Sequence, residues 1–222
     1  MIKNFQGIIF DMDGLLFDTE QLYYQATQEM ADHFHIPYDF DFYNQYIGIG
    51  DKELWAAYHK RFDSQFGAMV VQQFIEASVA QTMTLFESGA ATIKPGLTEL
   101  LSYLNNQTIK KGIASSNQRK IIDILLEKNG LSQEFSTIVS CEDVVFAKPD
   151  PAIFLKAQES LGLPKENVLI LEDSPNGIKA ANEAGIAVVM IPDLIVPTKE
   201  IQKKTIGVLS SLAELPNFLA ND

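Results

Sequence analysis

The segment Gly7-Ile8-Ile9-Phe10-Asp11-Met12-Asp13-Gly14 joins a short apolar run to a pair of carboxylates. The run at residues 7–10 is typical of a strand that is buried on both faces. Asp11 and Asp13 follow it two positions apart, so an extended backbone would place their side chains on one face. Gly14 then permits a tight turn. The segment therefore predicts a buried strand that delivers two carboxylates to one edge of a sheet.

Similar apolar runs recur along the chain and alternate with helical patterns. Further strands are predicted at residues 112–114, 138–139, 168–171 and 187–191, with a last candidate at 207–209. Helices between them are indicated by apolar residues spaced three and four apart, as at Leu97, Leu100, Leu101 and Leu104. Buried strands that alternate with amphipathic helices predict an α/β fold with a doubly wound, Rossmann-like parallel sheet.

Residues 18–89 interrupt this alternation, because they contain helical patterns and no clear strand pattern. One helix face is marked by Leu22, Ala26, Met30 and Phe34, and further helices are predicted near residues 54–58 and 74–86. We therefore predict an all-helical cap domain at 18–89. It is inserted into an α/β core domain made of residues 1–17 and 90–222.

Polar residues follow several predicted strands, at the edge where open parallel sheets bind ligands. Carboxylates held close together need protons or a cation, and Mg²⁺ prefers oxygen ligands and substrate phosphate. An Asp-x-Asp-Gly motif also occurs in calcium loops and turns, and residues 115–117 would equally suit a plain helix N-cap. The strand-end residues are Asp11, Asp13, Ser115, Ser116, Asn117, Lys148, Glu172 and Asp173.

The net charge of −12 argues against nucleic acid as a partner, because binding a polyanion requires a positive surface. An anion site in such a chain needs local positive charge, which Lys148 and a divalent cation would supply. The one cysteine, Cys141, cannot form an intramolecular disulfide. No apolar stretch approaches the roughly 18 residues of a membrane span, and the N-terminus lacks a signal-peptide pattern. We expect a cytoplasmic protein, and no feature demands an oligomer, so we expect a monomer.

With these motifs the chain resembles the haloacid dehalogenase superfamily, in particular its β-phosphoglucomutase-like phosphatases with a helical C1 cap. The resemblance covers nearly the whole chain and rests on four motifs in order: Asp11-Met12-Asp13-Gly14, Ser115, Lys148 and Glu172-Asp173. It implies a phosphoric monoester hydrolase that uses Mg²⁺. The substrate implied is a small phosphorylated metabolite, either a sugar or a nucleotide phosphate.

The resemblance also implies a role for each strand-end residue. Asp11 would accept the phosphoryl group as a phospho-aspartate, and Asp13 would protonate the leaving oxygen and then activate water. Asp11, Asp173 and the backbone carbonyl of Asp13 would bind Mg²⁺, with Glu172 acting directly or through water. The phosphoryl oxygens would be held by Ser115, Ser116, Asn117 and Lys148.

Substrate choice would depend on the cap, where Glu20, Tyr46 and Trp55 are candidate specificity residues, with Gln21, Tyr24 and Lys52 beside them. Each of these would equally suit helix surface or packing within the cap. Related sugar phosphomutases carry an arginine that grips a second phosphate where this chain aligns Asp51, so we expect hydrolysis. Two alternatives stay open: a β-phosphoglucomutase-like isomerase, and a non-enzymatic phosphoprotein or binding module on the same scaffold.

Overall fold

The computed structural model describes residues 5–47 and 49–221, and these residues contain a six-stranded parallel sheet. Residues 1–4, 48 and 222 of the predicted domains lie outside the described residues. The strand order is β3-β2-β1-β4-β5-β6. The predicted α/β parallel sheet is confirmed. The strands are β1 (Gly7–Phe10), β2 (Lys110–Ala114), β3 (Thr137–Val139), β4 (Val168–Glu172), β5 (Ala187–Met190) and β6 (Gly207–Val208).

The order of the strands reverses between the central pair, β1 and β4. From β1 the chain adds β2 and β3 on one side of the sheet, and β4, β5 and β6 then follow on the other side. In β1, Ile9 lies beside Gly112 of β2 and Ile170 of β4, with the strands parallel on both sides. Ile9 packs on one face of the sheet, whereas its neighbours Ile8 and Phe10 point to the other face and are also fully buried. Ligands bind beyond the carboxyl ends of strands at such a reversal point. Asp11 and Asp173 follow these two strands.

Three strands are longer than the apolar runs predicted: β3 gains Thr137, and β2 and β4 each include charged residues. β2 begins at Lys110, and the side chain of Lys111 is buried against Glu134, with its Nζ 2.5 Å from Glu134 Oε2. β4 ends on Glu172, which is fully buried. A rule based on apolar runs stops at a charge, so it missed these residues of the sheet.

The chain divides into two compact units, one made of residues up to Asp18 and from Thr92 onward, the other of Thr19–Ala91. The second unit is helical and packs around an aromatic cluster that includes Tyr43, Tyr58, Phe62 and Phe74. Its helices are α1 (Glu20–Phe34), α2 (Phe40–Asn44), α3 (Asp51–Phe66) and α4 (Ala68–Glu87). The short α2 was not predicted, because five residues are too few to show a helical period.

The first unit contains the sheet and the remaining helices. On one face, α7 and α8 pack against the strands and contribute Phe154 and Ile178 to the buried core. No helix in the described part of the chain has the length and apolar character to cross a bilayer. The helices of the first unit are α5 (Leu97–Asn106), α6 (Arg119–Lys128), α7 (Ala152–Leu161), α8 (Pro175–Ala184), α9 (Lys199–Gln202) and α10 (Leu215–Asn221).

Candidate active site

Lys148 lies at the centre of the strand-end residues, with a side chain that is only 6% exposed. Its ammonium Nζ lies 2.5 Å from Asp11 Oδ1 and 2.8 Å from Glu172 Oε1, and it also donates to the backbone oxygen of Ala114 at 3.2 Å. The ring of Phe154 lies below it, 4.7 Å from Nζ. Burial alone would lower the pKa of Lys148, but the carboxylates of Asp11 and Glu172 outweigh this and raise it above its usual range. Lys148 is therefore a fixed cation.

Asp11 is buried at the end of β1 and has an unusual proton affinity. Burial raises its pKa from 3.8 to about 7, since the attraction of Lys148 only partly offsets the lost hydration. The negative charges of Glu172 and Asp13 contribute to this same rise to about 7. The site thus holds more negative charge than Lys148 alone can balance.

Asp13 is positioned by a tight turn and by an amide. In the turn, the backbone N–H of Gly14 donates to the oxygen of Phe17 at 3.0 Å, and Gly14 has a φ of +70°, which favours glycine. Asn117 Nδ2 donates to Asp13 Oδ2 at 2.7 Å. The motif after β1 and the segment after β2 therefore meet at Asp13.

Glu172 is held on both of its carboxylate oxygens. Oε1 accepts from Lys148, and Oε2 accepts from the backbone N–H of Ser174 at 2.7 Å. The carboxylate lies against Gly177 in the first turn of α8, where a methyl group would come within 1.6 Å of Oε1. Position 177 therefore requires glycine, because the carboxylate of Glu172 leaves no room for a Cβ atom.

Replacing Gly177 with alanine tests this packing. The Gly177→Ala change must push Glu172 away from Lys148 and Ser174, and overpacking of this kind typically costs about 1–3 kcal/mol. We expect the free energy of unfolding to fall by that amount in urea denaturation. Gly112→Ala is the matched control, because a methyl group there meets its nearest atoms at 3.5 Å, an ordinary contact. Equal stability of Gly177→Ala and wild type would contradict the proposed packing.

The segment Ser115-Ser116-Asn117 does not cap α6, so the plain N-cap interpretation is wrong. The capping position is Gln118, without a side-chain cap, and the N–H of Arg119 donates instead to Glu142 Oε2 at 2.8 Å. Ser115 is fully buried, and its hydroxyl accepts from the backbone N–H of Asn117 at 3.1 Å. Ser116 is exposed. The fold thus uses this segment to shape the loop and to place Asn117 beside Asp13.

A set of buried carboxylates within the described residues fits a divalent cation. Oxygen atoms of Asp11, Glu172 and Asp173 all lie within 4.8 Å of one another. The carboxylate of Asp13 is not one of this set. An all-oxygen donor set with excess negative charge suits Mg²⁺, which is a hard cation. Burial, and then the negative charges of Glu172 and Asp13, raise the pKa of Asp11, and a bound cation would favour its ionised form.

The three candidate specificity residues belong to the helical unit, and each has a partner there. Glu20, the first residue of α1, accepts a hydrogen bond on Oε2 from the hydroxyl of Tyr43. The ring of Tyr46 lies 5.0 Å from that of Phe42. Trp55 packs against the aromatic cluster of the unit. These contacts give each residue a structural role.

Asp193, which follows β5 in the loop before α9, was not predicted from the sequence as a site residue. Asp193 Oδ1 pairs with Lys94 Nζ at 2.6 Å, and its side chain is 9% exposed. A methyl group on Gly14 would lie 3.1 Å from Asp193 Oδ2, which places this carboxylate beside the motif after β1. The strand-end rule that selected Asp11 and Asp173 would also have selected Asp193, had it been applied to β5.

Comparison with known proteins gives one family and several relatives. Residues 8–191 match the family described as haloacid dehalogenase-like hydrolase. The chain is 32% identical over 224 residues to a Drosophila melanogaster protein named "Probable pseudouridine-5'-phosphatase", covering 98% of this chain and 93% of the relative. It is 30% identical to a Thermotoga maritima protein named "Phosphorylated carbohydrates phosphatase", covering 82% of each.

The solved structures include a crystal structure of β-phosphoglucomutase from Clostridium difficile. It matches with a TM-score of 0.78 and 25% sequence identity, over 98% of this chain and 97% of the other. Phosphatases and a mutase are therefore both among the proteins that this chain resembles over most of its length.

Proposed function

Because the chain belongs to the haloacid dehalogenase-like hydrolase family, we propose that it is a Mg²⁺-dependent phosphatase acting through a phospho-aspartate on Asp11. The observation that carries the proposal is the buried Lys148, which bridges Asp11 and Glu172 at the carboxyl ends of β1 and β4. A lysine in this place favours the carboxylate form of Asp11, although burial outweighs it, and offers a positive charge to an incoming phosphoryl group. Phosphoryl transfer depends mainly on such positioning and charge neutralisation.

In the first half-reaction, a carboxylate oxygen of Asp11 forms a bond to phosphorus as the bond from phosphorus to the ester oxygen breaks. Asp13 transfers its proton to that ester oxygen, so the alcohol leaves as a neutral molecule. Asn117 donates to Asp13 Oδ2, so the proton is assigned to the other oxygen, Oδ1. Ser115, Ser116, Asn117 and Lys148 are the proposed donors to the phosphoryl oxygens.

In the second half-reaction, Asp13 is a carboxylate and takes a proton from water. The oxygen of that water forms a bond to phosphorus while the bond to Asp11 breaks. Inorganic phosphate leaves, Asp11 is again a carboxylate and Asp13 again carries a proton. The two steps at one phosphorus thus require a nucleophile, Asp11, and a second residue, Asp13, which acts first as the acid and then as the base.

The proposed ligands of Mg²⁺ are Asp11, Asp173 and the backbone carbonyl of Asp13. When bound, the ion supplies positive charge to the phosphoryl oxygens and to the surrounding carboxylates. Both oxygens of Glu172 already accept hydrogen bonds from protein donors, so we assign it to orienting Lys148 and to contact with the ion through water.

Replacing Asp13 with asparagine separates the two half-reactions. Loss of a general acid and base lowers turnover by about 10²- to 10⁴-fold. An aryl phosphate needs little protonation of its leaving group, so Asp13→Asn should release one equivalent of aryl alcohol quickly and then turn over slowly. Stopped-flow absorbance measures this burst, and Asp123→Asn on the exposed face of α6 is the control. Steady turnover at the wild-type rate by Asp13→Asn would refute its role.

The proposed substrate is a sugar phosphate or a nucleotide phosphate. The names of the two relatives, which refer to pseudouridine-5'-phosphate and to phosphorylated carbohydrates, support this class. The test is a panel of sugar phosphates, nucleoside monophosphates and pseudouridine-5'-phosphate, with phosphate release measured in Mg²⁺ and in EDTA. We expect Mg²⁺-dependent release from at least one compound. Release from none of them, or equal release in EDTA, would overturn the proposal.

Glu20, Tyr46 and Trp55 are the proposed specificity residues of this phosphatase, and the helical unit that contains them is proposed to act as the cap.

A second candidate function is sugar phosphomutase, which the likeness to β-phosphoglucomutase supports. Asp51, an exposed acidic residue at the start of α3, favours hydrolysis, because a carboxylate would repel a second phosphate. The discriminating assay compares isomerisation of β-glucose 1-phosphate with release of phosphate. Isomerisation without release would favour the mutase.

A further inference from the structure

We propose that Asp193, held by Lys94, is a positioning residue of the Mg²⁺ site that accepts a hydrogen bond from a water molecule of the hydrated ion. This inference rests on the proposed function, because it requires that the carboxylates at the ends of β1 and β4 bind Mg²⁺. The proposed Mg²⁺ ligands follow β1 and β4, whereas Asp193 follows β5 and belongs to none of the four sequence motifs.

The pairing of Asp193 with Lys94 satisfies only half of its carboxylate. Lys94 Nζ lies 2.6 Å from Oδ1, and the Asp193 side chain is 9% exposed. Oδ2 is buried and has no hydrogen-bond partner anywhere in residues 5–47 and 49–221. A buried charged oxygen without a donor is strongly unfavourable, so we infer that Oδ2 receives its donor from outside the chain.

The position of Oδ2 indicates what that donor is. A methyl group on Gly14 would lie 2.6 Å from Asp173 Oδ2 and 3.1 Å from Asp193 Oδ2, so both oxygens border the same small space. Two carboxylate oxygens that border one space repel each other unless a cation or a proton donor lies near them. Asp173 is the proposed direct ligand of the ion. Its neighbour Asp193 is therefore placed to bind the ion's water.

The chemistry of Mg²⁺ suits this arrangement. The ion gives up its water reluctantly and usually keeps several water molecules when a protein binds it. Protein groups that accept hydrogen bonds from such ligands fix their orientation, and mutating them typically weakens metal binding 10- to 100-fold. Lys94 has the supporting role, since its bond to Oδ1 fixes the direction in which Oδ2 points.

The test measures metal binding directly on the full chain, without an assay of activity. Asp193→Asn keeps the shape of the side chain and can still accept from Lys94 through its carbonyl oxygen. The amide nitrogen then replaces Oδ2, so an acceptor becomes a donor. We expect Asp193→Asn to weaken Mg²⁺ binding in calorimetry, and Mn²⁺ binding in electron paramagnetic resonance, by about 10-fold. Lys94→Met, which leaves the Asp193 carboxylate without its support, should weaken both severalfold.

Glu134→Gln is the matched control, because Glu134 also pairs with a lysine at 2.5 Å but lies beside Lys111 near the start of β2. It should leave metal affinity unchanged. Wild-type affinity in Asp193→Asn would overturn the inference and leave the proposed function standing, whereas a wild-type chain that binds neither ion would overturn both. Should Asp193→Asn fail to fold, Lys94→Met decides in its place, and unchanged affinity there overturns the inference.

Discussion

Asp11→Asn is expected to lower Mg²⁺-dependent phosphate release on the order of 10⁴-fold or more. Removal of the nucleophile in an enzyme with a covalent intermediate leaves only the contribution of binding and charge. Asparagine matches aspartate in shape and can still accept from Lys148, so the effect is chemical. Initial rates at saturating Mg²⁺ on the best substrate of the panel measure it. Asp123→Asn, at the exposed surface of α6, is expected to keep the wild-type rate.

The same variant should be more stable than the wild type in metal-free buffer at pH 8. The folded-state pKa of Asp11 is raised to about 7, mainly by burial, so the folded chain binds this proton more tightly than the unfolded chain does. The stability that this proton supplies is complete below about pH 4 and is lost as the pH rises through 7. At pH 8 the wild type must bury an ionised Asp11, which costs free energy, whereas asparagine is neutral and avoids that cost. Scanning calorimetry at pH 5 and pH 8 measures the difference.

Together these two results distinguish loss of chemistry from loss of fold. A variant that is inactive because it is misfolded would melt below the wild type at both pH values. A variant within about 10-fold of the wild-type rate would contradict the assignment of Asp11 as the nucleophile.

Of the proposed substitutions, Lys148→Met is expected to lower the free energy of unfolding the most. Lys148 is the ammonium that bridges the buried carboxylates of Asp11 and Glu172, and removing one partner of a buried pair typically costs about 3–5 kcal/mol. We expect the free energy of unfolding at pH 8 without metal to fall by about that amount in urea. Activity should also be lost, because the phosphoryl group loses a positive charge.

Mg²⁺ should restore part of the stability of Lys148→Met, since the ion supplies positive charge to the same carboxylates. The stabilisation by saturating Mg²⁺ should therefore be greater for Lys148→Met than for the wild type. Lys156→Met is the control, because the side chain of Lys156 is 46% exposed. Equal stability of Lys148→Met and the wild type in metal-free buffer would contradict the central place of Lys148 in the site.

The strand-end rule predicted most of the site because parallel strands bring their carboxyl ends to one edge. It selected Asp11, Asp173 and Lys148, although Lys148 and Asp11 are 137 residues apart in the chain. The α/β fold followed from the apolar runs of the strands. In both cases the prediction depended on a periodic pattern or a position relative to a strand, which a single sequence displays.

Other features depend on contacts between distant residues, which a sequence pattern does not display. The charged residues Lys111 and Glu172 lie within strands because partners elsewhere neutralise them. Glu142 reaches the start of α6 from a different loop, which made the N-cap interpretation wrong. Asp193 is fixed by Lys94 from 99 residues away. In each case the decisive partner belongs to a different part of the chain.

The phospho-aspartate is tested most directly by mass spectrometry. The chain is mixed with a substrate from the panel and Mg²⁺, quenched in acid during turnover and digested, and the peptide that contains Asp11 is analysed. The proposed mechanism predicts one phosphoryl group on Asp11 in the wild type, more of it in Asp13→Asn and none in Asp11→Asn. Phosphate release at full rate with no phosphorylated Asp11 in either the wild type or Asp13→Asn would contradict the mechanism.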